Sequence, residues 1–257
     1  MIRKFVRILA IFFIVVSFII ICFIADKLIR NEKRKLIFLS KYASFYMKFM
    51  LASFGVKPSY KNIENLSKNE ANYLIVSNHL SYLDIFIIFS FIPSVFIANS
   101  ELNEQFLLGT VTRYAGGVFI ERRDRTHLSK EIEKVTNLLK EGFNVVLFPE
   151  ATTSSGESVL PFKNPFLTCA IKANVDIVPV CIKYRKIDGE DVNSINRDLI
   201  YFYGDAKFFE HAFRLLSHTI VNVDMIELQK INVKPEHTRK ELSNLAYDII
   251  NSAYHKS

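Results

Sequence analysis

Ile8 to Ala25 reads ILAIFFIVVSFIIICFIA, a run with no charge and with Ser17 as its one hydroxyl side chain. A helix crosses the hydrocarbon of a bilayer in about 20 apolar residues, so this run is long enough to span one. Arg3, Lys4 and Arg7 precede it, and Lys27, Arg30, Lys33, Arg34 and Lys35 follow it. A cleavable secretory signal has the same outline. Here, however, the apolar stretch is long, bulky residues fill its end, and no small-x-small site precedes the charges. The expectation is an uncleaved anchor over residues 1–30. The following flank is the richer in Lys and Arg, which by the positive-inside bias makes this a single-pass membrane protein with residues 27 onward in the cytoplasm. A formal charge of +7 suits an anionic partner, either a lipid surface or nucleic acid. The anchor favours the lipid surface. Basic–aromatic interleaving and any nucleic-acid module are missing from the sequence, so no nucleic-acid partner is expected.

Residues 36–56, LIFLSKYASFYMKFMLASFGV, are apolar and aromatic with Lys41 and Lys48 spaced among them. That pattern fits a helix lying in the membrane interface with its lysines reaching outward, within an amphipathic segment spanning 31–60. An ordinary amphipathic helix packed on the domain fits equally well. From residue 61 to 257 one domain is expected, in which strand and helix patterns alternate. Strands are expected at 73–77, 95–98, 117–121, 144–148, 177–182, 199–203 and 219–227. Helices are expected near 83–91, 127–141, 163–173, 207–217 and 236–254, with a surface loop from Arg185 to Asn196. Such alternation predicts an α/β fold, a mixed sheet flanked by helices, preceded by the transmembrane and interfacial helices. Cys22, Cys169 and Cys181 are isolated in apolar surroundings, which indicates neither a disulfide framework nor a zinc site.

Three stretches carry candidate chemistry. Tyr73-Leu74-Ile75-Val76 has the pattern of a buried strand, and Ser77-Asn78-His79-Leu80-Ser81-Tyr82-Leu83-Asp84 follows it. His79 then falls at a strand's carboxyl end, where open α/β sheets place their chemistry. If the turn folds Asp84 back, its carboxylate holds one imidazole nitrogen as N–H and leaves the other free to accept a proton from a hydroxyl. A histidine buried in a turn is the plainer alternative. Gly116-Gly117-Val118-Phe119-Ile120 next leads into Arg122, Arg123 and Arg125. Glycine at 117 would let backbone approach a ligand, and guanidinium forks suit phosphate. A solvated turn is the alternative there. Finally, Val145-Val146-Leu147-Phe148-Pro149 delivers Glu150 and the hydroxyls of Thr152, Thr153, Ser154 and Ser155 at another strand end. Pro179, inside the apolar run 177–180, implies an edge position or a bulge near a pocket.

Taken in order, NHLSYLD, GGVFIERR, FPEATTSSG and IVPV resemble the motifs of the glycerolipid acyltransferase family over roughly residues 70–185. Its best-known members make phosphatidic acid from 1-acylglycerol 3-phosphate. The resemblance implies that His79 and Asp84 are catalytic. It also implies that Arg122 and Glu150 bind the phosphate-bearing acceptor, with Gly117, Thr152 and Thr153 in the same substrate site. The acyl donor would be acyl-CoA or acyl carrier protein, with no metal and no further cofactor. The family's third block usually has glycine and arginine where Ala151 and Thr153 stand here. The Thr-Thr form looks like the branch of lysophospholipid and lyso-ornithine-lipid acyltransferases, so both acceptors stay open. Direct attack by the acceptor hydroxyl is expected, since no G-x-S-x-G elbow supplies a nucleophile. A non-catalytic, membrane-tethered module binding anionic lipid is the alternative of another class. It has no need of a base beside an acid.

Overall fold

The structure is a computed structural model, and it describes residues 2–68, 71–120, 128–162 and 164–256. In chain order the elements are α1 (Ile2–Leu28), α2 (Glu32–Phe54), β1 (Val56–Lys61), α3 (Glu64–Lys68), β2 (Leu74–Ser77), α4 (Leu83–Phe91), β3 (Val95–Asn99), α5 (Ser100–Asn103), α6 (Phe106–Tyr114) and β4 (Gly117–Ile120). They continue as α7 (Leu128–Lys140), β5 (Val145–Leu147), α8 (Thr168–Ala173), β6 (Ile177–Ile187), β7 (Glu190–Asp191), α9 (Phe208–Leu215), β8 (Val221–Glu227) and α10 (Arg239–His255). The strands form one mixed sheet in the order β1-β8-β6-β2-β5-β3-β4, with β7 added to β6 as a hairpin. β6, β2, β5, β3 and β4 run parallel, so their carboxyl ends share one edge. β8 runs antiparallel to β6.

Side chains alternate across each strand and so build two cores. Ile75, Val146 and Val178 face a layer that includes α2 and α4. Leu74, Val145 and Ile177 face α7, α8 and α10. Both faces of the central strands are therefore apolar, as parallel strands covered on both sides require. α2 starts on Asn31, whose side chain accepts from the Arg34 N–H, and stops at Gly55 in the left-handed region (φ +75°). Its buried stripe Leu39, Ala43, Met47, Leu51 and Phe54 follows helical spacing. α1 runs antiparallel to α2, with Phe18 against Tyr42 and Tyr46 and with Asp26 paired to Lys35.

Several expectations change. Residues 199–203 form no strand. They cross the carboxyl edge of the sheet after a short 3-10 turn, and the Phe202 N–H donates to the Leu80 carbonyl (2.9 Å). The region 185–196 is only partly loop, because β6 runs on to Ile187 and turns at Asp188-Gly189, both at positive φ. That dipeptide is the hairpin signal the loop assignment passed over. A boundary at residue 60 cuts β1, which pairs with β8, so the sheet begins at Val56. Of the two settings expected for Pro179, an edge or a bulge, the structure has the second, on an interior strand. It sits where the pairing with the returning chain steps out of register, between Val180–Glu227 and Ile177–Ile231, and a missing N–H is tolerated there.

Candidate active site

β2 is four residues long, and the turn after it is made by side chains bonding to backbone. Asn78 first extends the β2–β6 ladder: its Nδ2 donates to the Ile182 carbonyl (3.0 Å), and its Oδ1 accepts from the Ile182 N–H (2.8 Å). The chain then folds so that Asp84, in the first turn of α4, reaches back. Asp84 Oδ2 accepts from the N–H groups of Leu80 (2.6 Å) and Ser81 (2.9 Å) and lies 3.0 Å from His79 Nδ1. Oδ1 accepts from the Tyr184 hydroxyl (2.8 Å). The carboxylate is wholly buried and has four donors, which is what a charge away from water requires. A carboxylate only accepts, so Nδ1 of His79 carries the proton and Nε2 keeps its lone pair. The imidazole stacks on Phe148 with ring centroids 4.0 Å apart.

Glu150 arrives at the end of β5, next to β2 in the sheet, and meets the same turn. Its Oε1 accepts from the His79 N–H (2.7 Å) and its Oε2 from the Leu160 N–H (2.9 Å). The Ser154 N–H in turn donates to the His79 carbonyl (3.1 Å). Burial pushes the Glu150 carboxyl up to about 7, against the pull of the two N–H bonds. Glu150 was expected at the acceptor. In the structure each of its oxygens accepts from a backbone amide, which clamps the 151–160 loop onto His79. The neighbours it delivers, Thr152 and Thr153, are the ones that line the adjoining cavity.

That cavity has a volume of about 450 Å³. It runs from His79, Phe148 and Tyr82 along α4, β3 and α6, with Phe89, Phe96, Val111 and Ala115 among its walls. Among the described residues no carboxylate, lysine or arginine lines it. Gly117 does not line it either. A Cβ there would collide with Thr112 of α6, so helix–strand packing by itself requires glycine at this position. Arg122, with Arg123 and Arg125, lies outside the described residues; the chain leaves β4 toward them at the same carboxyl edge that carries His79 and Glu150. Asn78 and Tyr184 were not singled out from the sequence. For Tyr184 a faint signal existed, since Val178, Val180, Ile182 and Tyr184 alternate onto the face that Asp84 shares.

Comparison with known proteins agrees with this geometry. The family model described as Acyltransferase matches residues 57–183. The chain is 40% identical over 117 residues, 46% of each protein, to a 1-acyl-sn-glycerol-3-phosphate acyltransferase of Neisseria gonorrhoeae. It is 28% identical over 179 residues to a lyso-ornithine lipid O-acyltransferase of Rhizobium meliloti, covering 67% of this chain and 61% of that one. The chain belongs to the glycerolipid acyltransferase family. The matched region spans about half the length of the first of these relatives. In fold it is similar to the crystal structure of the 1-acyl-sn-glycerophosphate (LPA) acyltransferase PlsC from Thermotoga maritima. That likeness has a TM-score of 0.71 at 23% identity, covering 98% of this chain and 95% of that one.

Proposed function

We propose that this protein transfers a fatty acyl chain from a thioester donor, acyl-CoA or acyl carrier protein, to the free hydroxyl of a lysolipid. The observation that carries the reading is the His79–Asp84 pair at one end of an apolar cavity that no charged side chain lines among the described residues. His79 Nε2 takes the proton of the acceptor hydroxyl as its oxygen attacks the thioester carbonyl. Collapse of the tetrahedral intermediate breaks the carbon–sulfur bond, and the thiolate leaves with the proton held on His79. Asp84 keeps the imidazole in the tautomer this needs and offsets the positive charge it acquires. The cavity suits an acyl chain, since its described walls are mostly apolar.

The first acceptor is 1-acylglycerol 3-phosphate, giving phosphatidic acid, with Arg122 as its phosphate partner. A lyso-ornithine lipid or another lysophospholipid is the second reading. It is favoured by Thr153 on the cavity wall, which cannot supply a forked charged contact. The test is to supply the purified protein with labelled acyl-CoA or acyl carrier protein and a panel of lysolipids, and to identify the products by mass. His79→Ala should lower turnover by about 10²–10⁴-fold or more while leaving the thermal melt in place. Wild-type turnover in that variant would end the mechanism. If a lyso-ornithine lipid is acylated more efficiently than the phosphomonoester, the second acceptor stands.

The reaction is placed at a membrane surface. α1 is apolar enough to enter a bilayer, and most of it is unburied by protein. Phe45 and Phe49 of α2 and Phe209 and Phe213 of α9 are exposed beside it. Hydropathy alone gives a single crossing, and the contacts of α1 support a different reading. Arg3 donates to Thr219 Oγ1 (2.6 Å) and the Ser217 carbonyl (2.9 Å), Lys4 sits over the Phe213 ring (3.5 Å), and Arg7 bonds the His218 and Thr219 carbonyls. The N-terminal end of α1 thus rests on the domain, and its other end is paired with α2 through Asp26 and Lys35. The reading is that the α1–α2 pair lies within one leaflet, with the domain on the cytoplasmic side, where thioester donors are available.

A further inference from the structure

The motif residues explain one side of the Asp84 carboxylate and leave the other to a residue outside them. Oδ2 is crowded by the Leu80 and Ser81 N–H groups and by His79 Nδ1. Oδ1 accepts from the Tyr184 hydroxyl (2.8 Å), which comes from the far half of β6, a hundred residues along the chain (|i−j|=100). Tyr184 is itself buried, and its ring packs edge-on against Tyr201 with centroids 5.7 Å apart. Burial and the facing Asp84 raise its hydroxyl well above the ordinary tyrosine range, so it stays a donor. A buried oxygen left without a donor costs the full desolvation of that group. If Oδ1 lost this bond, the carboxylate plane would turn to recover a donor, and Oδ2 would leave the line to Nδ1.

We propose that Tyr184 is a positioning residue for acyl transfer: by holding Oδ1 it fixes the carboxylate plane that orients His79. The strand containing Ile177-Val178-Pro179-Val180 would then matter to the chemistry through what it carries seven residues after its first. It supplies Ile182 to seat Asn78 and Tyr184 to lock Asp84. The kinetic part of this inference rests on the acyl-transfer reading above, and the spectroscopic part does not.

The test uses the full chain with Tyr184→Phe, Asp84→Asn and the double variant. Phenylalanine keeps the ring and its packing on Tyr201, and a thermal melt checks the fold. Tyr184→Phe should lower kcat about tenfold, the worth of one hydrogen bond to a charged group, and leave KM for lysolipid and donor unchanged. In the Asp84→Asn background it should cost nothing further, because the residue it acts through is already altered. The Nδ1–H proton resonance of His79, identified by its loss in His79→Gln, should move in Tyr184→Phe. Unchanged kcat, or a loss that adds in full to that of Asp84→Asn, overturns the proposal. If no lysolipid is acylated by the wild type, the function reading falls instead, and the His79 resonance alone decides: movement supports the role of Tyr184, and an unmoved signal ends it.

Discussion

Ala151 holds a left-handed backbone (φ +61°) directly after Glu150, at the entrance of the loop clamped onto His79. A residue with a Cβ costs about 1–2 kcal/mol there, whereas glycine enters freely. Glycine loses more chain entropy on folding, which offsets part of the gain. Ala151→Gly should therefore raise stability by about 1 kcal/mol in urea unfolding, with acylation retained; a loss of stability would mean the methyl group is needed for packing. The same local logic explains what could be read from residue types. His79 and Asp84 are five apart and meet through one turn, so their pairing was visible in the spacing. Glu150 was visible as a residue delivered to the site, whereas its contact with the His79 turn was not. Its bond to the His79 N–H spans 71 positions and depends on β5 lying beside β2. The contact of Gly117 with Thr112 was not legible, because a glycine needed for packing looks the same in sequence as one needed for a ligand.

Among elements, the helices and strands with clear periodicity fell where expected. α4 matches its expected span, and β2, β3 and β6 begin within a residue of theirs. α5 and α6 were missed because Phe106–Tyr114 mixes Gly109 and three β-branched residues into a short helix, which hides the helical period. β1 was missed because Pro58 argues against a strand. It is tolerated because β1 is the edge strand. For α1 hydropathy reaches only part of the answer, since the run specifies contact with hydrocarbon but not its direction. Its 27 residues span about 40 Å of helix. The bonds of Arg3 and Arg7 to Ser217–Thr219 tie the N-terminal end to the domain, which predicts that a tag before Ile2 and a tag after His255 lie on the same side of sealed vesicles. Protease accessibility measures this, and protection of one tag only would restore the single crossing.

At the scale of the molecule, two buried groups on different elements oppose each other as pH changes. Glu150 has its pKa raised to about 7 by burial, from an ordinary 4.5. The folded state holds that proton more tightly, so the stability it contributes is present below about pH 4.5 and is lost as pH rises through 7. His211, buried beside Tyr82, is pushed down to about 4 by burial and by Arg214, from 6.5. Its contribution is present above pH 6.5 and is lost as pH falls through 4. The two slopes nearly cancel between these limits, so the wild-type melting temperature should vary little from pH 4.5 to 6.5. Glu150→Gln should uncover a melting temperature that rises with pH there, and His211→Phe one that falls. The effect of each is on the order of 2 kcal/mol across the window. Two variants with the same flat profile would contradict both assignments.

The reciprocal pair between Asn78 and Ile182 makes the His79 turn an extension of the sheet itself. In such an arrangement the base does not move to meet its substrates. On the acyl-transfer reading proposed above, an opening that admits a lipid and a thioester would run across the cavity, through α5, α6 and the 151–156 loop. Amide exchange would register that division of labour. The Leu80, Ser81 and Ile182 amides should exchange only when the whole sheet opens, while those facing them across the cavity exchange through small local openings. Substrate binding would then slow exchange on one wall alone, and the wall that carries His79 would have nothing left to gain.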